Sequence, residues 1–219
     1  MKTKITKFAT AGIFAFSGLF SPATSAANID LYQADGTFFT GAPAGFAYGA
    51  FSGNVVETAS SLTIDASAFG GLGRNFTLTD FDPNQYQLRI VYRLLDGNVA
   101  DDFRIILRDN DGDDTAPNQG TEDHQIFIDT SFASPLNDGS GFSEQFSPLN
   151  SVFTQTSSGF TNGGDGVFNP GLDQWQIQSP FGETDRFYIE VKSIELVPEP
   201  SSAALLGVGL TAFALRRRP

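Results

Sequence analysis

Apolar and polar residues alternate through the middle of the chain. From Gln85 to Leu95, Tyr86, Leu88, Ile90, Tyr92 and Leu94 fall on one face, and Gln85, Gln87, Arg89, Val91 and Arg93 on the other. That two-residue period predicts a half-buried strand. Asp102 to Asp109 repeats it, with Phe103, Ile105 and Leu107 inward and Arg104 and Arg108 outward. His124 to Thr130 (Ile126, Ile128) and Asp173 to Ser179 (Trp175, Ile177) follow the same rule. In Asp185 to Leu196, Phe187, Ile189 and Val191 alternate, and Ile194 and Leu196 continue in the opposite phase, which predicts a bulge near Lys192 and Ser193. Ile29–Tyr32, Phe46–Val56, Ser61–Asp65 and Asn75–Thr79 are further strand candidates. Between Thr130 and Asp173 the chain is rich in Ser, Gly, Asn and Asp, and only Ser151–Thr156 interrupts a reading of loops. Short strands separated by turn residues, with no long helical period, predict an all-β sandwich of about nine strands.

The two ends do not alternate. Lys2, Lys4 and Lys7 precede an apolar stretch from Phe8 to Phe20, broken by Pro22 and followed by small residues. This is the layout of a secretory signal peptide, residues 1–26, with cleavage expected after Ala26 and Ala27 as the alternative. At the other end, Pro198 and Pro200 disfavour helix at Val197 and Glu199, so the last strand stops there. The thirteen residues from Ala203 to Leu215 carry no charge. As a helix they reach about 20 Å, short of a bilayer core of about 30 Å. Ser201, Ser202 and snorkelling arginine stems close part of that gap. Arg216, Arg217 and Arg218 form a membrane stop on the cytoplasmic side. Residues 27–197 then form the exported domain, and residues 198–219 a single membrane-helix segment.

Charge and cysteine content narrow the function. Six of the thirteen basic residues lie in the end segments, as does one of the twenty-five acidic ones, which leaves the exported domain at seven against twenty-four, a net of −17. Nucleic acid and anionic membrane surfaces are poor partners for such a body. The absence of cysteine excludes disulfides, zinc-thiolate sites and cysteine nucleophiles.

Several constellations are candidates for chemistry. Asp109, Asp111 and Asp113 follow a strand with the spacing of calcium ligands, so calcium is the one cofactor considered. The EF-hand pattern fails because Asp114 stands where glycine is required, and the run equally suits a solvated turn. Asn162–Gly166 is a second, weaker candidate. If the strands at 85–95 and 102–109 form a hairpin, Arg93 lies opposite Arg104 and Arg89 opposite Arg108. The four arginines then form a patch for an anionic polysaccharide; the alternative is salt-bridged arginines on different sheets. Phe38, Phe39, Phe46, Tyr48 and Phe51 are candidates for a glycan-stacking platform, whereas Trp175 shares its face with Ile177 and belongs to the core. His124 is the only histidine and no nucleophile elbow exists, so hydrolytic catalysis of the Ser-His-Asp kind has no support. Paired carboxylates for glycoside cleavage stay open, and Asn75-Phe76-Thr77 is an N-glycosylation sequon.

Two resemblances add to this reading. Val197-Pro198-Glu199-Pro200-Ser201, the apolar run from Ala203 to Leu215 and the arginine cluster together resemble the PEP-CTERM sorting signal. The resemblance implies a Gram-negative bacterium that makes exopolysaccharide. It also implies a transient membrane anchor, and recognition of Pro198, Glu199 and Pro200 by an exosortase that cuts near them. Phe69–Gly73, Phe81–Tyr86, Asp173–Gln178 and Arg186–Val191 are similar to the jelly-roll domains of the galactose-binding and carbohydrate-binding-module type. The expectation is an exported, non-enzymatic protein of the cell surface or extracellular matrix. Its partners would be the secretion machinery and an exosortase, with polysaccharide as a further partner. A carbohydrate-binding module and a secreted glycoside-acting enzyme are the alternatives.

Overall fold

In chain order the strands are β1 (Ile29–Gln33), β2 (Gly45–Gly49), β3 (Val55–Glu57), β4 (Leu62–Ala66), β5 (Gly70–Leu78), β6 (Tyr86–Leu94) and β7 (Asp102–Asp109). Then come β8 (Asp123–Asp129), β9 (Ser134–Pro135), β10 (Ser143–Pro148), β11 (Phe153–Gln155), β12 (Leu172–Gln178) and β13 (Phe187–Pro198). The computed structural model describes residues 26–79, 81–109, 123–149, 153–155, 168, 170–179 and 185–199. Among them, all strand pairs are antiparallel and form two sheets. One runs β3-β4-β13-β6-β10-β9, with β1 also on β13; the other runs β11-β8-β7-β12-β5-β2. The protein is an all-β sandwich.

The alternation seen in the sequence builds the core. Leu88, Ile90 and Tyr92 of β6 and Phe187, Ile189 and Val191 of β13 face Phe103, Ile105 and Leu107 of β7, Ile126 and Ile128 of β8, and Trp175 and Ile177 of β12. Tyr92 meets Phe103 edge to face at 5.3 Å, and Phe103 lies 5.4 Å from Phe187, so aromatic contacts bridge the two sheets.

The predicted bulge is present. The register of β13 against β6 shifts between Val191 and Ser193. It falls where β13 changes its other neighbour, pairing with β4 through Phe187–Val191 and with β1 from Ser193 to Leu196. By absorbing one residue, the bulge keeps Ile194 and Leu196 on the core face, at 1% and 0% exposure.

Four expectations are corrected. The hairpin of β6 with β7 does not form, because the two strands belong to different sheets. The connection between them is stitched to the start of β13, with Leu95 N–H donating to Tyr188 O and Val99 N–H to Arg186 O. This carries the chain across to the second sheet. Phe46–Val56 is two strands, one in each sheet, separated by a turn at Gly49 (φ 59°). The region after Thr130 contains β10, which pairs with β6 along its whole length. Leu94, expected inward, is 44% exposed at the end of its strand.

Candidate functional site

Antiparallel partners share a face, so the registers place the outward side chains of the β2–β8 sheet in rows. Gln174, Gln176 and Gln178 of β12 lie between Arg108, Ile106 and Arg104 of β7 on one side and Asn75, Gly73 and Gly71 of β5 on the other. Beyond β5 stand Phe46 and Tyr48 of β2. Beyond β7 stand Asp123, Gln125 and Phe127 of β8. The face turned away from the core is thus dominated by amides, guanidinium groups and aromatic rings.

The amides are tied into one chain of hydrogen bonds. Gln178 Nε2 donates to the Tyr48 hydroxyl. That hydroxyl donates to Gln176 Oε1 at 2.9 Å. Gln176 Nε2 donates to Gln174 Oε1, and Gln174 Nε2 to Asn75 Oδ1. Among the described residues the chain does not use the amide oxygen at the Gln178 end or the amide N–H₂ at the Asn75 end, groups suited to hydroxyls. Two glycines make this arrangement possible. The Tyr48 ring lies across Gly71, where a Cβ would meet the phenol oxygen at 2.5 Å. At Gly73 a Cβ would strike the Trp175 carbonyl and Gln176. Phe46 stacks beside Tyr48, with centroids 6.4 Å apart and planes 25° apart. Burial pushes the Tyr48 pKa up, against the opposing hydrogen bond from Gln178, so the phenol stays neutral and keeps its donor.

The other half of the face is ionic. Arg108 Nε donates to Asp123 Oδ1 at 2.8 Å, and Arg104 Nη1 to Gln125 Oε1 at 2.9 Å. Arg104 also lies 5.0 Å over the ring of Phe127, which is 47% exposed. At the bulge of β12, Asp173 has a buried carboxylate oxygen with no hydrogen-bond partner among the described residues. Burial pushes its pKa up to about 6; Arg108 opposes this, and Asp109 and Asp123 add to it.

The residues singled out in the sequence are dispersed. Arg89 and Arg93 lie on the sheet opposite Arg104 and Arg108, so the four form no single patch. Arg89 bridges Glu144 and Glu195, and Arg93 pairs with Glu190. Asp109 is fully buried, its Oδ2 2.9 Å from His124 Nε2, and His124 stacks on Phe168 at 4.0 Å. A calcium ligand set using Asp109 would have to draw that carboxylate away from His124. Asp111 and Asp113 lie outside the described residues, as do Asn162–Gly166, Pro200 and Arg216 to Arg218. Among the described residues, no group of three or more acidic or histidine side chains is placed to hold a metal ion, and no helix is long and apolar enough to cross a membrane. Residues 1–25 of the predicted signal peptide also lie outside them. Of the aromatic candidates, Phe38 and Phe51 are core, and Phe46 and Tyr48 are on the outer face. The glutamine row was legible only as the polar phase of Gln174-Trp175-Gln176-Ile177-Gln178.

The fold is a jelly-roll β-sandwich of the kind seen in solved carbohydrate-binding modules. The family 30 carbohydrate-binding module of a cellulosomal cellulase of Clostridium thermocellum is 12% identical over 80% of this chain and 100% of that one, with a TM-score of 0.51. Another family 30 carbohydrate-binding module structure is 14% identical over the same shares, with a TM-score of 0.50. At these identities the likeness is one of fold. No curated protein matches the chain. Residues 196–218 match the PEP-CTERM protein-sorting motif, the mark of an exported, membrane-passing protein.

Proposed function

We propose that the exported domain, residues 27–197, binds polysaccharide on the outer face of the β2–β8 sheet. The protein would act at the surface or in the extracellular matrix of a Gram-negative cell. On this reading the signal peptide is removed after Ala26, and the segment from Pro198 to Pro219 holds the protein in the membrane until an exosortase processes it. The observation that carries the proposal is the hydrogen-bonded row Gln178–Tyr48–Gln176–Gln174–Asn75, lying beside the Phe46 and Tyr48 rings. Amide and phenol groups match sugar hydroxyls, and flat rings match the apolar faces of pyranoses. The arginines on this face already have polar partners in Asp123 and Gln125, which favours neutral over anionic polymers.

Affinity electrophoresis of the exported protein against a panel of polysaccharides tests the reading. Gln176→Ala removes two hydrogen bonds from the row and should weaken binding about tenfold, the equivalent of about 1.4 kcal/mol. Tyr48→Ala, which also removes a ring, should weaken it further. A wild-type protein that binds no polymer in the panel sinks the proposal.

A second reading, glycoside cleavage, is favoured by Asp173, an acid with its pKa near 6 on a face that also carries the Arg108-bonded Asp123. It requires turnover that Asp173→Asn abolishes. Binding without turnover removes it.

A further inference from the structure

The sorting tripeptide does not hang free of the domain. β13 continues without a break into it: Val197 pairs with Gln87 and Pro198 with Tyr86. One residue further, Glu199 N–H donates to Gln85 O at 2.8 Å. Leu196 and Val197 are buried, at 0% and 9% exposure. The strand that receives the motif is held as well. Gln85 ends a short turn, Pro83–Gln85, capped by Asp82, whose side chain accepts from the Asn84 backbone N–H at 3.0 Å and from Gln85 Nε2 at 2.9 Å. Phe81 and Tyr86 on either side of that turn are core residues 5.4 Å apart. The first residue of the motif is therefore the last of β13, and the second is held to the turn before β6 by one backbone hydrogen bond. Only Pro200, Ser201 and Ser202 separate Glu199 from the apolar run that starts at Ala203. Fully extended, that stretch spans at most roughly 14 Å.

Proteolysis requires a segment drawn out of the fold, with bonds on both sides of the cut released from other partners. Freeing the Val197–Pro198 or Pro198–Glu199 bond would unzip the end of β13 and expose Leu196.

We propose, resting on the sorting reading above, that the folded sheet confines processing to bonds C-terminal to Glu199, so that the mature domain keeps Pro198 as the end of its central strand and Glu199 bonded just beyond it. The step is an amide cleavage. The backbone C–N bond breaks, and the retained carbonyl carbon takes the oxygen of water or the nitrogen of an acceptor amine. The proton goes to the amine that leaves with the tail. The fold thereby supplies part of the specificity, because the domain emerges intact whatever the enzyme prefers within the motif.

The test is the intact mass of the mature protein from cells expressing the full chain together with an exosortase. The expected C-terminus is Glu199 or a later residue that precedes Arg216. A C-terminus at or before Pro198 overturns the inference and leaves the sorting reading standing. A protein that keeps the complete tail overturns both. A variant with six Gly and Ser residues inserted between Val197 and Pro198 asks whether the sheet is the cause. With the motif released from Tyr86 and Gln85, products that end at Pro198 or before it should appear. Their absence, with the cut bond unchanged, would show that the enzyme alone sets the position, and would overturn the role given to the fold.

Discussion

A methyl group at Gly71 and one at Gly73 should have opposite kinds of consequence, although the two positions are one side-chain row apart. At Gly71 the obstacle is the far end of the Tyr48 side chain, which can swing away. Gly71→Ala should therefore fold, with a loss of about 1 kcal/mol for the hydrogen bonds to Gln176 and Gln178, and should bind polysaccharide at least as weakly as Gln176→Ala. At Gly73 the obstacle is the Trp175 carbonyl, part of the sheet itself. Gly73→Ala should lower stability by about 3 kcal/mol, as overpacking in a fixed framework does. Denaturant melts and affinity gels on the two variants separate these outcomes. Asp173 gives a pH signature. Its folded pKa, about 6, lies above the ordinary 3.8, chiefly through burial. The stability this group contributes is fully present below pH about 4 and is lost as the pH rises through about 6. Asp173→Asn should therefore stabilise the protein at pH 7.5 and make no difference near pH 4. At about 1.4 kcal/mol per pH unit, reduced for a half-exposed group, the gain is about 1 kcal/mol. Thermal melts at the two pH values check it, and an equal effect at both would reject the assignment. These residues were hard to pick out in the sequence for a physical reason. Neutral amides and glycines carry no catalytic or ligand spacing, and their meaning appears only when β12, β5 and β2 are placed side by side.

Among the elements, β13 was the most legible and β10 the least. The phase change after Val191 was visible because the strand is apolar on its core face on both sides of the bulge. β10 reads Ser-Glu-Gln-Phe-Ser-Pro, with no apolar alternation; its inward-facing Gln145 is bonded to the Tyr92 hydroxyl at 3.2 Å, and its Phe146 is 47% exposed. It is held as a strand by its backbone ladder to β6 and by Glu144 on Arg89. The arginine hairpin failed for a related reason. Matching apolar phases allow β6 and β7 to pair in one sheet or to face each other across a core, and periodicity does not distinguish the two. The bulge itself can be tested. Deleting Lys192 leaves Val191, Ile194 and Leu196 in regular alternation opposite Tyr92, Ile90 and Leu88 and keeps them on the core face, whereas inserting one alanine after Ser193 turns Ile194 and Leu196 toward solvent. At about 2 kcal/mol each, the insertion costs about 4 kcal/mol, a large part of the roughly 5–15 kcal/mol that holds a domain folded. The insertion variant should lose about that much in urea melts, whereas the deletion variant should still unfold cooperatively with a loss of less than about 2 kcal/mol, and Lys192→Ala should melt within about 0.5 kcal/mol of the parent.

On the scale of the whole molecule, charge and site point in different directions, and that difference is measurable. The exported domain carries a net charge of −17, so its long-range field repels anionic polymers. Six of its seven basic side chains are already engaged: Arg89 with Glu144 and Glu195, Arg93 with Glu190, Arg108 with Asp123, Arg186 with Asp65, Arg104 with Gln125 and Phe127, and Arg74 with the Phe38 carbonyl. Binding through the amide row to a neutral polysaccharide involves no charge on the ligand, and salt screens only charges. Its affinity should change by less than about twofold between roughly 0.05 and 0.5 M sodium chloride. Binding carried by Arg104 and Arg108 on an anionic polymer would instead weaken steeply over that range, because a ligand group would have to replace Asp123 and Gln125 against the field of the domain. Affinity gels run across the salt series distinguish the two, and a steep fall would move the site from the glutamine row to the arginine side of the same sheet.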